Sequence, residues 1–360
     1  MDTLTHALSG ALIGRALAAP ESTRRALPPR WFGPPLGAGQ AVAVGAVAAT
    51  FPDLDFVLGW VSDLAYLRGH RGVTHSLLIL PLWSVLLGFL FALLFRRTEL
   101  WKRASWIAAS GLALHIVGDW ITQFGTMLLA PLSDTRFGLG SIFIIDLVVT
   151  GIIVAGLLGS LLVRSSRVPA VVALALLPAW VGVTLVGRAE ALQFARSYAA
   201  QEGIAARTID AAPRPASPFN WTVVVFDGAQ YRYAHVNTRR TEPMTAGPDD
   251  NFIRRFSAPY QPLARADWQA AMKVPEGPDA ALANTAWSHP EFEFFRWFAQ
   301  FPVFDRVDRG PDGECVWFKD LRFLTPGRDA MPFRYGMCRL AHDTWRPFRL
   351  DGDAGRLGVH

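Results

Sequence analysis

The chain has 360 residues, 51% of them apolar and only 18% charged, with two cysteines and a formal net charge of +5. That length has room for two domains. The positive balance does not point to nucleic acid, because the basic residues sit mainly at the ends of apolar segments, where membrane topology accounts for them.

Nearly all the long apolar runs fall before Arg188. Thr3–Ala18 is short and interrupted by Arg15; it reads as a full span or a half-helix capped by Asp2 or Thr3, and not as a cleaved leader. Leu36–Phe51 is rich in small residues that suit close helix packing, and it ends at Pro52-Asp53-Leu54-Asp55. Val73–Phe95 has only Thr74, His75, Ser76 and Ser84 as polar residues and is long enough to span a bilayer core. Ala104–Ala130 carries His115 and Asp119, Ser141–Val163 opens beside Asp146, and Val168–Gly187 contains a kink signal at Pro178. The predicted fold is an α-helical polytopic membrane bundle of about six helices over residues 1–188, followed by a small α+β soluble domain.

Alternating helices would put Arg15, Arg24, Arg25, Arg30, Arg96, Arg97, Lys102, Arg103, Arg164 and Arg167 on one side, against Arg68, Arg71 and Arg136 on the other. The basic side is then cytoplasmic. The domain after residue 188 would be periplasmic in a multi-pass protein of a bacterial inner membrane. The same alternation brings His6, Asp53, Asp55, His70, His75, Asp119 and Asp146 to one level on the outer face.

Residues 189–218 read as a helix extension, Ala189–Glu202, and a Pro-rich linker, Ala211–Pro218. Residues 219–360 form the α+β part. Trp221–Phe226 and Tyr231–Asn237 flank the hairpin signal Asp227-Gly228, and Asp279–Trp287 and Glu291–Phe301 look helical. A second hairpin, Glu314–Leu324 with Pro332–Leu340 around Thr325–Arg328, sets Cys315 opposite Cys338; a disulfide and two buried thiols are both compatible with that pairing. The aromatic run from Trp287 to Phe298 reads as a core or as a face on the bilayer. His235, His289, His342 and His360 are scattered and form no constellation.

The chemistry gathers in the first half. His115 and Asp119 are spaced i,i+4, so both side chains share a helix face, as two metal ligands or as a self-neutralising pair. Asp53 and Asp55 can bridge ions, divide into a ligand and a general base, or form a plain acidic loop. Arg71 can stabilise developing anionic charge or merely snorkel. Taken together, His6, Asp53, His70, His75, His115 and Asp119 read as ligands of one or two divalent ions, zinc being expected. Asp55, or Asp53 if it does not ligate, is then the base, and Asp146 a supporting or ligating residue. A site at that depth suits a lipid-like substrate drawn from the bilayer. A transporter with the same residues along a permeation path, or an interaction protein with a structural metal, are the rival readings. Nothing here defines the oligomeric state.

Four motifs in order, Asp2-Thr-Leu-Thr-His-Ala-Leu-Ser-Gly, Pro52-Asp-Leu-Asp, His70-Arg-Gly-Val-Thr-His-Ser and His115-x-x-x-Asp119, resemble the YdjM family of inner-membrane proteins. The resemblance covers about the first 150 residues and implies a membrane-bound, metal-dependent hydrolase. The order of histidines and aspartates is also similar to the all-helical zinc phospholipase C and nuclease fold, which implies His6, Asp53, His70, His115 and Asp119 as zinc ligands. The next histidine after His115 is His235, in the other domain, so a three-metal cluster is not expected.

Overall fold

The computed structural model describes residues 1–19, 33–311, 313–326, 331–340, 343–351 and 355–359. Arg24, Arg25 and Arg30 of the charge argument, Gly327 and Arg328 of the second hairpin, and His342 and His360 lie outside these. The chain divides into two compact units, Met1–Leu58 with Gly69–Leu185, and Gly59–Arg68 with Val186–His360.

The first unit is helical: α1 (Thr3–Leu17), α2 (Ala38–Thr50), α4 (Leu80–Leu94), α5 (Trp101–Trp120), α6 (Leu147–Leu162) and the first part of α7 (Val168–Gln201), while α3 (Asp63–Gly69), which lies between α2 and α4 in the chain, falls almost wholly in the second unit. Asp2 caps α1 by accepting the Thr5 amide at 3.0 Å. Small residues let α1 and α2 approach closely: a methyl on Gly10 would meet the Gly45 carbonyl oxygen at 2.2 Å. Ala41, Val44 and Ala48 of α2, Leu87 and Ala92 of α4 and Ile107, Ala108 and Leu112 of α5 form a buried core. By contrast, Leu82, Leu86 and Phe89 of α4, Leu158 and Leu161 of α6, and Val172 and Leu176 of α7 are exposed. Apolar side chains are therefore on both the inside and the outside, the pattern of helices solvated by lipid. Among the described residues, two helices are long and apolar enough to cross a membrane, Ala38–Trp60 and Val168–Gln201, and three if Asp63–His75 and Leu80–Leu94, bent by 77°, form one span.

The helix ends differ from the sequence reading. Val73–Phe95 is not one continuous helix. Val73–His75 is a 3-10 turn, and Ser76 leaves helical geometry while its hydroxyl donates to the Ala130 carbonyl at 2.5 Å. Helix α5 stops at Trp120. The apolar residues after it form an irregular strap with bridges Thr122 to Ile142 and Thr126 to Phe137, turned at Gly125 with φ +88°. Helix α6 starts only at Leu147, where Asp146 caps it through the Val148 and Val149 amides. Helix α7 runs through Pro178 to Gln201, so the expected extension Ala189–Glu202 does continue the last helix.

The second unit contains two five-stranded sheets. The first holds β1 (Thr208–Pro213), β2 (Asn220–Phe226), β3 (Gln230–Asn237) and β4 (Gln261–Pro262) in that order, with β5 (Gln269–Met272) also on β3. Strand β1 thus takes in the first three residues of the expected linker, Ala211 to Pro213. Pro213 is tolerated because β1 is an edge. The predicted hairpin forms at Asp227, whose carboxylate accepts the Ala229 and Gln230 amides, and Gly228 has φ +114°. Short helices α8 (Phe252–Ser257), α9 (Ala280–Ser288) and α10 (Glu293–Phe298) precede an antiparallel sheet of β6 (Pro302–Gly310), β7 (Gly313–Asp320), β8 (Tyr335–Leu340), β9 (Thr344–Asp351) and β10 (Gly355–Gly358). Phe292, Phe294, Phe295 and Phe298 are buried and serve as core.

Candidate metal centre

Three local devices deliver the polar side chains. After α2, Pro52 opens a run of 3-10 turns, Phe51–Trp60, that carries Asp53 and Asp55. Arg71 then adopts φ 60°, unusual for a residue with a Cβ, and is held there on both sides. Its amide donates to Asp55 Oδ2 at 3.0 Å, and its carbonyl accepts the Met127 amide at 2.9 Å. The chain thus turns so that His75, on the following 3-10 turn, is fully buried. Helix α5 contributes His115 and Asp119 from one face.

Asp53, His75, His115 and Asp119 each offer one ligand atom, and these atoms all lie within 4.8 Å of one another. His75 Nε2 is 3.2 Å and His115 Nε2 3.5 Å from Asp119 Oδ2; the same nitrogens are 3.8 and 3.7 Å from Asp53 Oδ1. Four nitrogen and oxygen donors around a tetrahedral zinc-sized ion would be about 3.3 Å apart. His75, His115 and Asp119 are 0% exposed, whereas the Asp53 side chain retains 14%. The open end of the cluster is therefore at Asp53.

The hydrogen bonding supports the fit. His75 Nε2, His115 Nε2, Asp119 Oδ2 and Asp53 Oδ2 are buried without a hydrogen-bond partner. Leaving one such atom unsatisfied costs about 1–3 kcal/mol, so four together call for a shared partner. The other ends of these groups are engaged. His115 Nδ1 is 2.6 Å from the Ala49 carbonyl oxygen, which requires the proton on Nδ1 and leaves Nε2 with its lone pair. His75 Nδ1 meets Thr74 Oγ1 at 3.0 Å, and that hydroxyl donates on to Asp55 Oδ2 at 3.3 Å. Asp119 Oδ1 accepts from Arg71 Nη2 at 2.9 Å, from His6 Nε2 at 3.1 Å and from the Met1 amino group. Imidazoles fixed through one nitrogen and bare at the other are poised as metal ligands.

Not every residue singled out in the sequence joins the four. His6 stacks on the His115 ring at 3.7 Å between centroids and reaches Asp119 through the oxygen that faces away from the cluster. His70 Nδ1 is bonded to Asp55 Oδ1 at 2.8 Å. Asp55 itself has both oxygens taken, by His70 on one and by the Arg71 amide and Thr74 on the other, which leaves it poorly suited to the role of base. The Arg71 guanidinium binds Asp119 and Thr122 Oγ1. Asp146 caps α6 and accepts the Trp180 indole N–H at 3.1 Å, so its carboxylate serves the helix end and not the cluster. The Sγ atoms of Cys315 and Cys338 are at bonding distance, 2.01 Å, on paired strands of the other unit. Sequence reasoning missed Thr74 and the Ala49 carbonyl. Thr74 had a signal in its place beside His75; a backbone oxygen has none.

A helical bundle with lipid-type surfaces and a buried His-Asp cluster defines a membrane protein with a candidate metal site. Residues 1–191 match the YdjM inner membrane protein family, and the chain belongs to that family. Over 151 residues it is 28% identical to a protein of Bacillus subtilis (strain 168) described as the uncharacterized protein YfhP; the match covers 41% of this chain and 42% of that protein. No solved structure matches.

Proposed function

We propose that this protein is a metal-dependent hydrolase of the inner membrane, using zinc or a similar divalent ion on an amphipathic, lipid-linked ester. The observation that carries the reading is the cluster of four ligand atoms from Asp53, His75, His115 and Asp119, in which His75 Nε2, His115 Nε2 and Asp119 Oδ2 are buried without hydrogen-bond partners. A divalent ion held there supplies Lewis-acid polarisation and eases deprotonation of water at neutral pH. His75 and His115 bind through Nε2, with the Thr74–Asp55 pair and the Ala49 carbonyl holding their rings. Asp119 binds through Oδ2, its charge balanced by Arg71 on the opposite oxygen. Asp53, the most exposed of the four, accepts the proton of the attacking water on Oδ2, a role that Asp55 is too committed to fill. Leu54, Phe56 and Val57 follow Asp53 directly and are exposed, which favours a substrate with an apolar tail.

The basic residues that alternating helices would gather on one side and the Cys315–Cys338 bond both favour a periplasmic second unit. The test is Asp53→Asn in protein reconstituted in nanodiscs, with bound metal and hydrolysis of phosphoester and lipid-ester panels followed together. Retained metal with turnover reduced about 10²-fold or more supports the reading. Metal lost together with turnover, or a wild-type protein that binds metal but hydrolyses nothing in either panel, indicates a closed structural site.

A further inference from the structure

Among the described residues after Val186, large apolar side chains are exposed in one place only: Phe252 (61%), Ile253 (44%) and Phe256 (43%), all on α8. At about 100° per residue, these three share an arc of about 100°, and Arg254 and Arg255 occupy the rest of the circumference. Arg254 is held by Asp250 at 3.4 Å and by the Thr245 carbonyl, while Arg255 lines a cavity of about 450 Å³ together with Phe252, Phe256, Ala258 and Pro259. A short helix with an aromatic face flanked by arginines has the composition of a segment that lies in the headgroup region of a bilayer.

We propose that α8 is a membrane-interface anchor, burying Phe252, Ile253 and Phe256 at the acyl boundary with Arg254 and Arg255 against anionic lipid phosphates. Two observations select a bilayer over other occupants. The unit that carries α8 is covalently continuous, through α7, with a chain inserted in a membrane, so a lipid surface is present at high effective concentration. Arg255 is complementary to anionic headgroups, an arginine near such a surface contributing about fivefold in binding, and Arg254 adds to this when it exchanges Asp250 for a phosphate. The inference is independent of the metal centre.

The test uses the full chain at one copy per nanodisc, with Ile253→Cys carrying an environment-sensitive fluorophore attached under non-reducing conditions, where Cys315 and Cys338 are paired. Thr285→Cys, at an exposed position, is the control. In discs containing phosphatidylglycerol, the Ile253 label is quenched by lipids spin-labelled high on the acyl chain and protected from iodide, and the Thr285 label is not. Adding Arg254→Ala and Arg255→Ala lowers the lipid quenching several-fold, as does pure phosphatidylcholine. A second label at Phe256→Cys keeps the result readable should Ile253→Cys misfold. Iodide access equal to that of the control, shielding that is the same in both lipids, or shielding that requires two copies per disc overturns the proposal.

Discussion

Each unit buries a polar cluster, and the two are built to opposite rules. In the second unit Arg214 donates from Nε to Thr222, from Nη1 to the Arg322 carbonyl and from Nη2 to the Leu321 carbonyl. Asp320 accepts the Gln300, Phe301 and Arg322 amides and the Arg322 guanidinium. These charges are buried and their bonds closed, so the network is structural. In the first unit, groups buried as deeply are closed only on their outward ends, and the inward atoms of His75, His115 and Asp119 remain open toward one another beside Asp53. Burial of histidine and aspartate is thus a poor sign of a metal site by itself; what separates the two clusters is which atoms are left without partners.

The comparison breaks most visibly at Asp320. Asp320→Ala strands a buried arginine and three amides, and unfolding of the second unit should become easier by about 3–5 kcal/mol, measured by chemical denaturation. Bound metal per folded chain should not change. In the first unit, Asp55→Ala removes no ligand but frees the Arg71 turn and the Thr74–His75 contact, so metal affinity should fall about 10- to 100-fold in equilibrium dialysis. Asp55→Asn, which keeps an oxygen for the Arg71 amide, should fall less. An Asp55→Ala protein with wild-type affinity would mean that the donors need no such support.

The smallest effect concerns His235, whose pKa burial and the neighbouring Arg214 push down to about 3. Its ring is neutral in the folded protein, while in the unfolded chain it gains a proton below its ordinary value of 6.5. The unfolded state therefore binds more protons between those values, and stability falls as pH drops from about 6.5 toward 3. His235→Gln should flatten that slope in thermal unfolding scans. An unchanged slope would assign the acid sensitivity to other groups.

Local patterns were legible in the sequence, and long-range ones were not. His115 and Asp119 could be paired from their spacing alone, because a helix puts positions four apart on one face. The strand register that sets Cys315 against Cys338 was readable from a turn signal centred midway between them. The choice between His70 and His75 was not, because Asp55, fifteen residues before His70, binds that ring and leaves His75 to face the cluster. Nor could the apolar run from Val73 to Phe95 reveal its break, which depends on Ser76 bonding to the carbonyl of Ala130. The strand β1 was hidden by Pro213, which an edge position tolerates, and by the prolines that follow it.

The central claim is tested most directly by the metal content of the purified protein in lipid, wild type beside His115→Ala. Wild type should carry close to one divalent ion per chain. Removing one of the ligands should weaken binding roughly 100- to 1000-fold and empty the variant on dialysis against a weak chelator, with the helical circular dichroism retained. A wild-type protein that takes up no zinc, manganese or iron, or a folded His115→Ala protein that keeps its full equivalent, would contradict the account.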